Sequence, residues 1–187
     1  MSPKMNIIVA ACENNGIGKN GELPWKLREE MKYFSRMTKT TSDPKKKNMV
    51  VMGRKTWESI PFKFRPLPGR LNVVLSSQPK EYFGDTNGSI ICQSFEAALE
   101  EARSQDDKLE TVWVIGGSSL YEMALTSEEL HRVYLTRILA TIECDTFLPP
   151  LDLEKFKLVH DPAVPQDLQE ESGLRYRYEV YEKSKDC

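Results

Sequence analysis

Short apolar runs rich in β-branched residues recur at 6–11, 48–52, 71–76, 89–92, 111–115 and 131–139, and helical patterns lie among them at 26–38, 54–59, 94–103 and 118–125. Runs of this length can be buried on both faces, and their alternation with helices predicts an α/β domain around a mainly parallel sheet. The tail differs. Leu174, Tyr176, Tyr178 and Val180 alternate with Arg175, Arg177, Glu179 and Tyr181, which predicts a half-exposed antiparallel strand. The polar or Pro-rich stretches 40–47, 61–69, 79–88 and 161–173 read as surface loops, none long enough to separate domains. A chain of 187 residues with 40% hydrophobic content supports one sizeable core, so a single domain over 1–187 is expected.

One carboxylate interrupts this pattern. In the first helical segment Leu27, Met31, Phe34 and Met37 form an apolar stripe, Glu29, Lys32 and Arg36 point away, and Glu30 falls inside the stripe. Held against apolar surface, a carboxyl group has its charged form disfavoured and its pKa raised, which suits a general acid. At the edge of the stripe it would instead extend its head to water.

Charge and cysteine usage exclude several classes. The net charge of −2, from 26 basic and 28 acidic residues, gives no electrostatic footprint for nucleic acid or for an anionic membrane, so small molecules are the expected partners. No apolar run approaches the ~18 residues of a membrane helix, and the early run 7–12 is too short for a signal-peptide core. Cys12, Cys92, Cys144 and Cys187 are scattered, which indicates neither a metal site nor a disulfide framework but buried or incidental thiols. A cytoplasmic protein is expected, and nothing in the sequence demands an oligomer.

Three glycine-bearing joints carry the remaining chemistry. Gly16-Ile17-Gly18-Lys19-Asn20-Gly21 has the G-x-G-x-x-G spacing, but Glu22-Leu23-Pro24-Trp25 separates it from the helix. It therefore reads as a mobile lid or an ordinary turn rather than a dinucleotide fingerprint. Gly116-Gly117-Ser118-Ser119 joins a buried strand directly to a helix, which suits either a phosphate cradle or a Ser-capped turn. Gly53-Arg54-Lys55-Thr56 puts two cations where they oppose the helix dipole, a placement that an anionic ligand would favour over simple solvation. Arg70 follows the rigid Pro66-Leu67-Pro68-Gly69 turn, a mount for bidentate carboxylate recognition or an ordinary surface position.

Taken together, Gly16-Ile17-Gly18 with Leu23-Pro24-Trp25, Glu30 with Phe34, Gly53-Arg54-Lys55-Thr56-Trp57, Pro66-Leu67-Pro68-Gly69-Arg70, Ile115-Gly116-Gly117 with Tyr121, Val133-Tyr134-Leu135-Thr136-Arg137 and Asp145-Thr146-Phe147 resemble dihydrofolate reductases along essentially the whole chain. The length and Asp152-Leu153-Glu154-Lys155-Phe156 are most similar to the animal branch. This resemblance implies a twisted, mainly parallel sheet of about eight strands with an antiparallel C-terminal strand and about four flanking helices. It also implies NADPH-dependent reduction of 7,8-dihydrofolate to tetrahydrofolate for one-carbon metabolism and thymidylate and purine synthesis. Dihydrofolate and antifolate-type inhibitors would be the ligands.

By the same resemblance Glu30 would hold the pterin and promote protonation of N5, with Thr136 hydrogen-bonded to it. Trp25, behind Leu23, would help to hold a water beside it. Ile8, Val9, Met31, Phe34, Ser35, Ile60, Phe64, Leu67, Ile115 and Tyr121 would line the folate pocket, and Arg70 would clamp the α-carboxylate of the glutamate tail. Ala10 and the loop Gly16, Ile17, Gly18, Lys19, Asn20, Gly21 and Glu22 would flank the nicotinamide. Arg54, Lys55 and Thr56 would meet phosphates, and Ser76, Ser77 and Gln78 would lie at the adenosine end. Gly116, Gly117, Ser118, Ser119, Leu120, Tyr121, Glu122 and Met123 would cradle the pyrophosphate. Three features depart from the vertebrate pattern: Ser77-Gln78 after the strand, Met31 in place of an aromatic residue, and Lys26 in place of a Pro-Pro pair. A folate- or nucleotide-binding relative without turnover would be expected to lack the acid, and a related pterin reductase would not need Arg70.

Overall fold

The computed structural model describes residues 2–185, so the Cys187 thiol lies outside the described residues. Strands β1 (Lys4–Ala11), β3 (Lys47–Gly53), β4 (Arg70–Leu75), β5 (Ile90–Cys92), β6 (Leu109–Gly116), β7 (Leu130–Ile138) and β11 (Leu174–Lys183) form where the β-branched runs and the alternating tail place them. Shorter strands are β2 (Gly16–Gly18), β8 (Thr146–Phe147), β9 (Phe156–Leu158) and β10 (Gln169–Glu171). The helices are α1 (Arg28–Lys39), α2 (Arg54–Ser59), α3 (Lys80–Phe83), α4 (Phe95–Ser104) and α5 (Ser118–Thr126), with a 3-10 turn at Phe62–Phe64.

The main sheet runs β10-β11-β7-β1-β6-β3-β4-β5, and β9 joins it on β11. Neighbours from β7 to β5 are parallel, whereas β11 is antiparallel to β7, β9 and β10. Alternation along each strand feeds two cores. Ile7, Val51 and Val114 pack under α4 and α5, while Ile8, Val50, Met52 and Trp113 pack with Tyr33 and Met37 of α1 and Trp57 of α2. Such double-sided burial is the reason the strands read as continuous apolar runs.

Several expectations need correction. Helix α1 starts at Arg28 rather than Lys26, because Leu27 is still extended (φ −126°, ψ 101°). The stretch 79–88 contains α3, 61–69 contains the 3-10 turn, and 161–173 contains β10; with α3 the described residues hold five α-helices, in keeping with the expected number of about four. Elements of three or four residues span too little chain to establish a period. A stretch of the expected lid is strand: β2 pairs antiparallel with β8 outside the main sheet.

Candidate active site

Helix α1 buries Glu30, Tyr33, Met37 and Thr38. The buried face is therefore rotated from the stripe read in sequence: Met31 is 52% exposed, whereas Glu30 is only 6% exposed. Met31 and Phe34 flank this face and open onto a cleft, so Glu30 is a full member of the buried surface, not a carboxylate reaching for water. Burial raises its pKa above the ordinary carboxyl value, and the Thr136 hydrogen bond opposes some of that rise. Thr136 reaches it from β7, where the residue stands in register between Ala10 of β1 and Tyr178 of β11. Helix α1 is steadied at its start by Glu171, whose two carboxylate oxygens accept from the amides of Arg28 (2.5 Å) and Glu29 (2.9 Å).

Beside α1 lies a cleft of about 430 Å³ lined by Met31, Phe34, Ser35, Phe64, Leu67 and Arg70 from the expected set, together with Lys63, Pro66 and Pro68. The last three were missed; their only sequence signal is that they share the 61–69 turn with Phe64 and Leu67. Asn72 shapes that turn by bonding the Leu67 N–H (2.8 Å) and carbonyl (2.9 Å). Ile8 is buried in the same cluster that Phe34, Ile60, Leu67 and Ile115 pack against, so these five come together. Val9 does not join them: its side chain belongs to the opposite core with Tyr121, whose hydroxyl donates to the Ile8 carbonyl at 3.0 Å.

Arg70 sits at the cleft and is buried. Its Nε donates to the Pro68 carbonyl (3.0 Å) and its Nη1 to Thr38 Oγ1 (2.9 Å). No carboxylate among the described residues pairs with it, and burial lowers its pKa. A buried guanidinium fixed by neutral acceptors and facing a cleft is suited to an anionic group.

The helix starts divide into two kinds. Glu171 bonds the first amides of α1, and Ser94 caps α4 by accepting from the Ala97 amide at 3.0 Å. Helices α2 and α5 instead begin after Gly53 and Gly117 with no side-chain cap, as does the single-turn α3 after Pro79, away from the ends of β3 and β6. Gly53 and Gly116 end the adjacent strands β3 and β6, so the starts of α2 and α5 lie at the carboxyl edge of the parallel sheet, where α/β folds bind ligands. Gly116 has φ +133°, and a Cβ there would stand 3.3 Å from Thr56 Oγ1. Uncapped helix amides that follow glycines are suited to a phosphate-bearing cofactor, so these residues fit such a group.

Other expected cofactor residues are less tightly placed. Arg54 is held by Glu58 (3.1 Å) and lies near the Tyr82 hydroxyl (3.4 Å), while Lys55, Ser77 and Gln78 are exposed. Ser76 Oγ accepts from the Gln78 amide at 3.0 Å. Leu120 is buried in the core, whereas Ser119, Glu122 and Met123 are exposed along α5 and Ser118 is half-buried.

The Gly16 to Glu22 loop is laced to the segment around β8. The Asn20 amide donates to Asp145 Oδ2 (2.9 Å), the Asp145 amide to the Gly18 carbonyl (3.0 Å), and Lys19 pairs with Glu143 (2.9 Å). Beyond it Leu23 is exposed, while Trp25 is buried with its indole N–H lacking a protein acceptor.

A carboxyl group with a raised pKa, a buried guanidinium with no carboxylate partner among the described residues, and the uncapped starts of α2 and α5 are groups of the kind an α/β enzyme site uses. The chain matches the family model described as dihydrofolate reductase over residues 4–183. It is 49% identical over 184 residues to dihydrofolate reductase of Sus scrofa, covering 96% of this chain and 98% of the relative. It is 45% identical over 181 residues to that of Drosophila melanogaster, again covering 96% and 98%. The solved Schistosoma mansoni dihydrofolate reductase matches with TM-score 0.86 at 37% identity, covering 98% of this chain and 100% of that one. The chain belongs to the dihydrofolate reductase family and is an enzyme of that family, served by a nicotinamide cofactor.

Proposed function

We propose that this chain reduces 7,8-dihydrofolate to tetrahydrofolate with NADPH, and that Glu30 is the acid that anchors the pterin and promotes protonation at N5. The reaction class is that of the family. The observation that carries the residue assignment is the buried Glu30 carboxyl group, bonded to Thr136 and flanked by the cleft residues Met31 and Phe34. When bound, the cofactor supplies hydride from nicotinamide C4 to pterin C6.

The protein contributes orientation, water exclusion and a tuned acid. As the carboxylate, Glu30 would accept hydrogen bonds from the pterin 2-amino group and N3, and burial raises its pKa, which favours its taking up the proton that N5 needs. Ile8, Phe34, Ile60, Leu67 and Ile115 would close apolar surface around the ring and its benzoyl extension, and Arg70 would take the α-carboxylate. Phosphates of the cofactor would meet the open starts of α2 and α5, with Arg54 exchanging Glu58 for a phosphate oxygen. The proposed roles call for no residue from a second copy, so we read the enzyme as a monomer.

Absorbance of NADPH, followed with dihydrofolate, other pterins or no acceptor and repeated with NADH, tests the assignment. Oxidation that requires dihydrofolate and proceeds faster with NADPH is expected. Equal turnover of a pterin without a glutamate tail would refute the proposed use of Arg70.

A further inference from the structure

Cys12 and Cys144, 132 positions apart in sequence by their numbers, meet beneath the Gly16 loop. A Cβ built on Gly16 would stand 2.3 Å from Cys144 Sγ and 3.0 Å from Cys12 Sγ, so the sulfurs are immediate neighbours. Gly16 leaves them the room, since any side chain there would displace Cys144. Cys12 directly follows β1 in full burial and donates to Asn14 Oδ1 at 2.6 Å, whereas Cys144 is half-buried next to β8. The pair thus spans the two segments whose backbones are laced together by β2 and β8.

We propose that Cys12 and Cys144 are a redox modification site: a dithiol that closes to a disulfide on reaction with a small disulfide and fastens the Gly16 loop to the segment before β8. The accessible Cys144 thiolate attacks one sulfur of the reagent, breaking its S–S bond and releasing one thiolate. Cys12 then attacks Cys144 Sγ in the mixed disulfide and releases the second. The protein loses two electrons and two protons, and the reagent is reduced to two thiols. Burial, with Cys12 alongside, holds the Cys144 thiol above its ordinary pKa, so exchange is slow at neutral pH. Glu143 and Asp145 flank Cys144, which favours an uncharged reagent over an anionic one.

Full-length protein treated with hydroxyethyl disulfide, then alkylated in denaturant and mapped by mass spectrometry, tests this. The intact chain should lose two hydrogens, and a cross-linked Cys12–Cys144 peptide pair should appear. Cys12→Ser should stop at a mixed disulfide on Cys144, and Cys144→Ser should leave Cys12 reduced. In the oxidised wild type, hydrogen exchange at residues 16–20 should slow at least several-fold and recover with dithiothreitol. Mixed disulfides alone in the wild type, linkage through Cys92 or Cys187, two fully alkylatable thiols, or a cross-link without slower exchange at 16–20 would each overturn the proposal. None of these readouts depends on turnover, so they stand apart from the assignment of the reaction.

Discussion

Thr136 Oγ1 donates a hydrogen bond to Glu30 Oε1 at 3.1 Å, both residues being buried. The bond favours the charged carboxylate while burial favours the neutral acid, and burial is the larger influence. The balance leaves the Glu30 pKa above its ordinary value, the direction that the proposed acid role requires.

Removing the hydroxyl should shift that balance further. In Thr136→Val the shape and strand preference of the residue survive, but the carboxylate loses its donor, so the Glu30 pKa rises. The alkaline limb of turnover should move to higher pH, and stability at neutral pH should fall by about 1–2 kcal/mol because a buried acceptor is left unpaired. Steady-state pH profiles and urea denaturation measure the two effects. An unmoved alkaline limb would deny Thr136 its influence on the acid.

Glu30 should also burden the fold it serves. Its folded-state pKa lies above the unfolded one, so its contribution to stability is full below the unfolded value and is lost as pH rises through the folded value. Glu30→Gln should therefore be more stable than wild type at neutral pH, by about 1 kcal/mol, with the difference shrinking in acid. Thermal denaturation at a series of pH values checks the sign; a variant less stable than wild type at neutral pH contradicts it.

Arg70 is proposed to bind rather than to react. Arg70→Leu should raise KM for dihydrofolate by about thirtyfold, on the order of 2 kcal/mol, with a much smaller change in kcat. A substrate lacking the glutamate α-carboxylate should respond little to the substitution. Equal losses on both substrates would place the effect in packing instead.

Gly116 tests the cofactor side. Gly116→Ala would force a Cβ onto a residue at φ +133° and 3.3 Å from Thr56 Oγ1. A stability loss of about 1–3 kcal/mol is expected from the backbone alone. NADPH affinity, followed by quenching of tryptophan fluorescence on the folded variant, should fall about tenfold as the close approach is lost. Unchanged affinity would separate this strand end from the cofactor.

Much of this is legible in the sequence. Strands buried on both faces carry a dense local signal, and six of them appear where the apolar runs lie, with shifts of one or two residues at their ends. Glu30 stands out by its apolar helical neighbours, although the stripe assigns Met31 to the interior and overlooks Tyr33. Helical spacing fixes which side chains share a face, while the neighbouring sheet and cleft decide which face is covered. Other features depend on contacts between distant segments. Glu171 bonding the start of α1 and Cys144 reaching Cys12 have no periodicity to reveal them. Lys63 and the flanking prolines enter the cleft only because the 61–69 turn folds over beside α1.

The central claim concerns one proton, and the pH dependence of turnover in wild type and Glu30→Gln tests it most directly. Wild-type kcat with NADPH and dihydrofolate should fall as pH rises through the raised pKa of Glu30, with the limb above the ordinary carboxyl range. Glu30→Gln should lose most activity near neutral pH, lack that limb, and still bind NADPH. Wild-type turnover by Glu30→Gln across the neutral range would contradict the account.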